Sequence, residues 1–309
     1  MRIAIIGRTE VLYDTALQLR DQGHEIALIV TAKESAEYKK TAEDFRALSD
    51  ACNVPYICTA RIKEAIDVIR SLPTIDIGVS MNYSGIIPQS VIDLFHLGIL
   101  NAHGGDLPRY RGNACQAWAI INGEDRVGLC IHRMIGGELD NGDIVARDYF
   151  PLTINTKITE AWGWMEDRIP SLFEESLNAL AANPNFIIER QSKNPKDALR
   201  CYPRRAEDGC IDWNRSAIEV LRLINASNRP YSGAFCDCKG EKLIIWDAEL
   251  VDDREPFCAI PGQITAITPD RFAEVATGDG KLLLRLVDYN GTVGHPVGLA
   301  VTSLRDRLG

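Results

Sequence analysis

No stretch of this chain approaches the roughly 18 uninterrupted apolar residues of a membrane-crossing helix, so no membrane partner is expected. The amino terminus, MRIAIIGRTE, has charges within its first ten residues and no small-residue cleavage site after an apolar run. No secretory leader is expected there, and the cytoplasm is the expected location. A basic excess is also missing: 34 lysines and arginines face 43 aspartates and glutamates, a net charge of −9. Cut at Arg200, the first part holds 21 basic and 27 acidic residues and the second 13 and 16. Neither part has the cationic surplus of a nucleic-acid-binding surface, so no nucleic-acid partner is expected. The nine cysteines, at 52, 58, 115, 130, 201, 210, 236, 238 and 258, include no CxxC pair. An odd, scattered set without a secretory leader reads as reduced thiols, mostly core, and no metal is expected. The first glycine segment, IGRTEVL, is not GxGxxG, which removes the phosphate-binding signature of nicotinamide and flavin dinucleotides.

What is present is ordinary for a globular protein: 309 residues, 46% hydrophobic and 25% charged, enough for one large or two moderate domains. Residues 2–6 form a short apolar run, 11–22 a helical pattern ended by Gly23, and HEIALIVTA the next run. Strand, helix, glycine, strand is the opening of a parallel α/β sheet. The alternation continues with strands near 54–60, 75–83 and 98–103 and helices near 62–72 and 88–96. Runs at 127–134 and 143–152 alternate like antiparallel or mixed strands, and a long helical stretch covers about 158–182. The pattern breaks at 194–203. Beyond it lie one helical segment near 216–225 and short β-type runs (AFCDC, EKLIIWDAEL, GQITAITP, FAEVATG, KLLLRLVDY), which suggest a small barrel or sandwich. The expected division is therefore 1–200 and 201–309, and no internal repeat is evident.

Chemistry concentrates between residues 101 and 143, NAHGGDLPRYRGNACQAWAIINGEDRVGLCIHRMIGGELDNGD. Asn101 and His103 lie two apart at the end of an apolar run, so on a strand their side chains share one face at its carboxyl end. Ligands of open α/β sheets bind outside those strand ends. LPRYRG sets Arg109 and Arg111 around a proline-led turn, either as solvated charges or as anion contacts. GGELDNGD is a glycine-rich loop presenting Asp140. An amide, an imidazole and a carboxylate converging on one site suit acyl transfer to a nitrogen nucleophile. The first two stabilise an oxyanion, and the third charges the imidazole or relays a proton. His24, His96, His132 and His295 lack matching partners in the sequence and read as structural. Arg204 and Arg205 either line a linker or contact a pyrophosphate, and Tyr231 is a candidate to stack on a nucleotide base.

The segment resembles the 10-formyltetrahydrofolate-dependent formyltransferase family, whose motif runs Asn-x-His, Leu-Pro-x-Tyr-Arg-Gly, then Asp-x-Gly-Asp. Here these are Asn101 and His103, residues 107–112, and residues 140–143. The resemblance covers nearly the whole chain: IDW (211–213) and RPYSGAF (229–235) resemble the carboxyl-terminal half of the long members. It implies a Rossmann-like, mostly parallel α/β sheet followed by a smaller OB-like β-rich domain. It implies 10-formyltetrahydrofolate as co-substrate and Asn101, His103 and Asp140 as the catalytic trio. Met81, Tyr83, Ile86, Ile87, Pro88, Ile135, Gly137 and Leu139 would hold the folate, largely through backbone groups. Arg109, Tyr110, Arg111, Arg204, Arg205 and Tyr231 would bind the acceptor substrate. One departure stands out: Gly105-Asp106 replaces the usual Ser-Leu before Leu107-Pro108, which leaves open how that turn is held.

Within the family, AWAIINGED (117–125), HRM (132–134) and RPYSGAF look most like the enzymes that formylate sugar nucleotides. The expected reaction is therefore formyl transfer to the amine of a UDP- or dTDP-linked amino sugar, as in lipopolysaccharide O-antigen biosynthesis, by a homodimer. The rival expectations are a methionyl-tRNA formyltransferase, a formyltetrahydrofolate hydrolase, and a non-catalytic nucleotide-sugar or folate-binding module.

Overall fold

A computed structural model describes residues 1–35, 38–252 and 256–309. The chain divides into two compact units, one of Met1–Gly112, Gly128–Phe150 and Gly163–Cys201, the other of Asn113–Val127, Pro151–Trp162 and Tyr202–Gly309. Two segments that the sequence reading assigns to the first domain, 113–127 and 151–162, thus pack with the second unit. The cause is apolar: Ala117 and Ile120 bury against Ile158 and Ala226.

The first unit is built on strands β1 (Arg2–Gly7), β2 (Glu25–Thr31), β3 (Tyr56–Cys58), β4 (Ile77–Met81) and β5 (Ile99–His103), with β7 (Arg126–Arg133) and β8 (Ile144–Pro151) beyond. Their order is β3-β2-β1-β4-β5-β7-β8. The first five pair in parallel, and β7 runs antiparallel to β5. The unbroken apolar runs of β1 and β2 belong to strands covered on both faces, which is why they do not alternate. A small pair, β6 (Arg111–Gly112) with β9 (Arg200–Cys201), lies apart from the main sheet. Helices α1 (Glu10–Asp21), α2 (Ala42–Cys52), α3 (Ile66–Ser71) and α4 (Gln89–Ile92) connect the parallel strands, and α5 (Cys115–Asn122) and α6 (Ile158–Ala182) come later. Helix α2 is not among the expected helices. Only Phe45, Leu48 and Ser49 of it are buried, and a capping box between Thr41 and Asp44 marks its start.

The strand order reverses between β1 and β4, the switch point at which such sheets open a crevice. Their carboxyl ends come so close there that a Cβ on Gly7 would lie 1.9 Å from the Met81 carbonyl oxygen. The glycine is required by that approach, not by a dinucleotide.

The second unit carries β10 (Ala234–Cys238), β11 (Glu241–Leu250), β12 (Ile264–Ile267), β13 (Ala273–Ala276), β14 (Lys281–Tyr289) and β15 (Thr292–Gly294). They form an antiparallel sheet ordered β10-β11-β14-β13-β12, with β15 added to β14. Helix α7 (Ala217–Ala226) opens with a Ser216–Glu219 capping box and buries Val220, Leu221 and Ile224 in the core that holds Leu243, Ile245, Leu282 and Leu284. The expected α/β sheet with a smaller β-rich domain is the observed architecture. Among the described residues no two cysteines are joined in a disulfide, and no helix is long and apolar enough to cross a membrane.

Candidate active site

Strand β5 sets one half of the site. Its parallel neighbour β4, which sets Ser80 beside Asn101, and its antiparallel neighbour β7, which sets His132 opposite Asn101 and Cys130 opposite His103, fix the strand. The His103 ring is buried. Its Nε2 donates to the Tyr110 carbonyl at 2.7 Å, and its Nδ1 lies 3.5 Å from Asp140 Oδ2. Oxygen atoms therefore face both ring nitrogens.

The other half is borne by loops. Asp140 (φ 47°) and Tyr110 (φ 52°) both sit in the left-handed region, at a cost of about 1–3 kcal/mol each for residues other than glycine. Both strained residues point a group at His103, the carboxylate from one side and a carbonyl from the other. The Asp140 carboxylate also accepts the Gly112 backbone N–H at 2.9 Å and lies 3.5 Å from His132 Nε2. Burial opposes its ionisation, but His103, His132 and the Gly112 N–H outweigh burial and hold the carboxyl well below the usual carboxylate range. Gly142 of the same loop lies flat on β7: a Cβ there would stand 1.7 Å from the Arg133 carbonyl oxygen. The Asp-x-Gly-Asp spacing thus reflects close backbone approach.

The turn that departs from the motif is held by charge. The Leu107–Pro108 bond is cis. Arg147 of β8 reaches beneath it, with Nη1 3.4 Å from Asp106 Oδ1 and Nη2 donating to the Leu107 carbonyl at 2.7 Å. Arg147 also pairs with Glu189 at 3.2 Å. The unexpected acid at 106 is thus one partner of the arginine that clasps the turn leading to Tyr110. Cys130, packed below, is no nucleophile: burial pushes its thiol up to about 11.

His132 is the site residue that the sequence reading set aside as structural. It is buried, and its Nδ1 donates to the Arg133 carbonyl at 2.9 Å. That leaves Nε2 between Asp140 and the Asn101 amide nitrogen, 3.4 Å away. The missed signal was strand register: a lone histidine on an alternating strand becomes informative only when paired opposite Asn101.

The residues assigned to folate fall at the end of β4 and on two loops, which the Gly136 N–H joins by donating to Gln89 Oε1 at 2.8 Å. Ile86 (83% exposed) and Leu139 (46%) leave large apolar side chains in solvent, which fits them to a flat aromatic ligand. Gly137 is exposed, with open space where a Cβ would stand. Met81, Pro88 and Ile135 are half-buried, and Tyr83 donates its hydroxyl to the Thr59 carbonyl. Ile87 is buried in the core with Val91 and Phe95, so it anchors its loop. Of the residues expected at the acceptor, Arg109 is exposed and its guanidinium lies over the Tyr110 ring. Tyr110 itself is 3% exposed, so its contribution to the site is its carbonyl. Arg111 turns its Nη2 to Gln191 Oε1 at 3.1 Å. Arg204, Arg205 and Tyr231 are brought together in the second unit, around a cavity of about 240 Å³ that Ser227 and Ser232 also line. Among the described residues no cluster of histidine, cysteine, aspartate or glutamate is arranged to hold a metal ion.

Residues 1–170 match the formyl transferase family, and residues 204–292 match the formyl transferase carboxyl-terminal domain. The chain is 29% identical to the methionyl-tRNA formyltransferase of Acetivibrio thermocellus, over 96% of this chain and 98% of that protein. It is 27% identical to that of Geobacter sulfurreducens, over 94% and 90%. Among solved structures, an N-formyltransferase from Helicobacter canadensis in complex with folinic acid and dTDP-3-aminofucose matches with a TM-score of 0.68 at 15% identity, over 92% of this chain and 98% of that one. HypX from Aquifex aeolicus matches with a TM-score of 0.60 at 18% identity, over 94% of this chain and under half (46%) of HypX. These structural likenesses show the fold.

The matches overturn two expectations, the sugar-nucleotide acceptor and the exclusion of nucleic acid. The two sequence relatives named above, 27–29% identical over nearly the whole chain, are methionyl-tRNA formyltransferases, and the O-antigen assignment falls with the sugar. Part of what suggested a sugar substrate turns out to report packing. Ala117, Ala119 and Ile120 of AWAIINGED are buried on α5, and Ala234 of RPYSGAF is buried in the second unit's core. Net charge misled because it averages over a whole surface. The family uses formyl-tetrahydrofolate as its one-carbon donor, and this chain, an enzyme of one-carbon transfer, belongs to the formyl transferase family.

Proposed function

We propose that this enzyme moves the formyl group of 10-formyltetrahydrofolate onto the amino group of methionyl-tRNA. The observation that carries the reading is end-to-end similarity to methionyl-tRNA formyltransferases, with 98% of the Acetivibrio thermocellus protein spanned. Local charge agrees with it. Residues 190–205 contain six basic residues and one acidic residue, and Arg190, Lys193, Lys196 and Arg200 are exposed. Lys193 Nζ donates to the Asn141 carbonyl at 3.2 Å, so this cationic run starts beside the loop that carries Asp140. Polyanion binding depends on such local clusters and not on the total.

In the proposed step the neutral amine adds to the formyl carbon, the carbon–nitrogen bond to the folate breaks, and the amine's proton is passed to the departing nitrogen. The Asn101 amide donates to the oxygen as it gains charge, and the His103 ring, whose nitrogens face the Tyr110 carbonyl and Asp140, stabilises that charge through space. Asp140 orients His103 and relays the amine's proton. Ile86 and Leu139 cover the donor's ring system. Arg204, Arg205 and Tyr231 take the acceptor: burial lowers the pKa of Arg204, whose Nε is buried without a partner among the described residues, and Tyr231 sits within 5.9 Å of its guanidinium. A phosphate and a base would suit that cavity. The reaction would take place in the cytoplasm.

The test is formylation of charged initiator tRNA by purified enzyme, measured at rising salt. Formylation with an apparent affinity that falls steeply with salt is expected. No transfer to methionyl-tRNA, with transfer to another amine under the same conditions, would overturn the acceptor while leaving the one-carbon chemistry in place.

A further inference from the structure

Gln191 lies outside every motif considered above, in the irregular segment after α6, yet its side chain is only 3% exposed. Its Nε2 donates to two carbonyls of the catalytic loop, Asp140 at 2.9 Å and Gly142 at 2.6 Å. Its Oε1 accepts from Arg111 Nη2 at 3.1 Å. Its backbone N–H donates to Asp143 Oδ1 at 3.3 Å. Arg111 is the chain neighbour of Gly112, whose N–H holds Asp140 Oδ2. One buried amide therefore joins the two motif segments that converge on His103.

We infer that Gln191 is a positioning residue, a latch that keeps Asp140 in its left-handed conformation and ties it to Arg111–Gly112 so that its carboxylate faces His103 and His132. Only a primary amide fits this place: two donors serve two carbonyls and one acceptor serves a guanidinium. A carboxylate would set its oxygens against the carbonyls, and a thioether would leave both without donors. Arg111 is then the far end of the latch as well as a cation near the acceptor. The inference rests on the proposed role of Asp140 but not on the identity of the acceptor.

Two full-length variants test it. Gln191→Met fills a similar volume without hydrogen bonds, and Gln191→Glu keeps the Arg111 contact while losing the two donors. The charged groups around the loop are His103 on β5, His132 on β7, Arg111 on β6, Lys193 after α6, and Glu138 and Asp143 of the loop itself. Gln191→Met changes none of them. Loss of alignment at the reacting atoms should lower kcat about 10- to 100-fold, with a much smaller change in KM for the formyl donor. The acid limb of the kcat profile should move to higher pH, because Asp140 slips from the groups that hold its carboxyl low.

The deciding readout needs no acceptor. Carbon-13 NMR of the Asp140 carboxyl, titrated in wild type and in each folded variant, should show it protonating at higher pH in both variants. This result would stand even if methionyl-tRNA proved not to be the substrate. An Asp140 titration identical to wild type would overturn the latch, whatever the variants do to kcat.

Discussion

The two halves of the catalytic site are held by different means. Asn101 and His103 ride on a central strand hydrogen-bonded on both edges, so the sheet itself aims their side chains. Asp140 arrives on a loop in a strained conformation and depends on single contacts from Gly112 and Gln191, with Lys193 holding the next residue, Asn141. Regular structure aims a residue through many small contacts, whereas a loop does so through few, each of which matters. Substitutions on the strand half should therefore change chemistry with little effect on geometry. Substitutions supporting the loop half should change geometry first.

The largest effect is expected at the strand half. His103→Ala removes a ring needed only as charge develops, and kcat should fall about 10²-fold or more while affinity for the formyl donor holds. Equilibrium binding of a folate analogue together with single-turnover rates measures both. Near-normal turnover in a folded His103→Ala protein would remove the imidazole from the mechanism. Asp140→Asn comes next. It keeps shape but deletes the charge facing two histidines, and formyl transfer should drop by roughly 10²-fold. An unaltered rate and pH profile would show that the carboxylate's charge is idle.

The loop half predicts a smaller, geometric effect at Gly142. Gly142→Ala sets a methyl against the Arg133 carbonyl, so the loop must shift. A loss of roughly 10-fold in kcat and a lower Tm are expected, since small misplacements at a reacting centre are costly. Equal kcat for Gly142→Ala and wild type would mean that the loop tolerates displacement.

The smallest effect concerns pH and stability. The folded-state pKa of Asp140 is depressed, so its contribution to stability is present above the unfolded value near 4 and is lost as pH falls toward the folded one. The Tm gap between wild type and Asp140→Asn should therefore narrow on acidification below about pH 4. A gap that widens there would reverse the sign of the proposed coupling.

This division also explains what could be read in the sequence. Unbroken apolar runs announced β1 and β2, and the i, i+2 spacing of Asn101 and His103 announced a shared face, because both follow from strand geometry. Helix α2 escaped because its buried stripe is only Phe45, Leu48 and Ser49. His132 escaped because its meaning lies in a cross-strand pair, and Gln191 because it meets Asp140 from 51 residues away in a segment with no periodicity. The acceptor was misread because six cations gathered at 190–205 disappear into a total of −9.

The central claim is that Asp140 works through His103, the two acting as one unit. It is tested most directly by single-turnover formyl transfer in His103→Ala, in Asp140→Asn and in the protein carrying both substitutions. Groups that act together lose their effect together. The account predicts that the double variant is within a few-fold of His103→Ala alone. A double variant slowed by the product of the two single losses would show that the carboxylate and the imidazole act independently, and would contradict it.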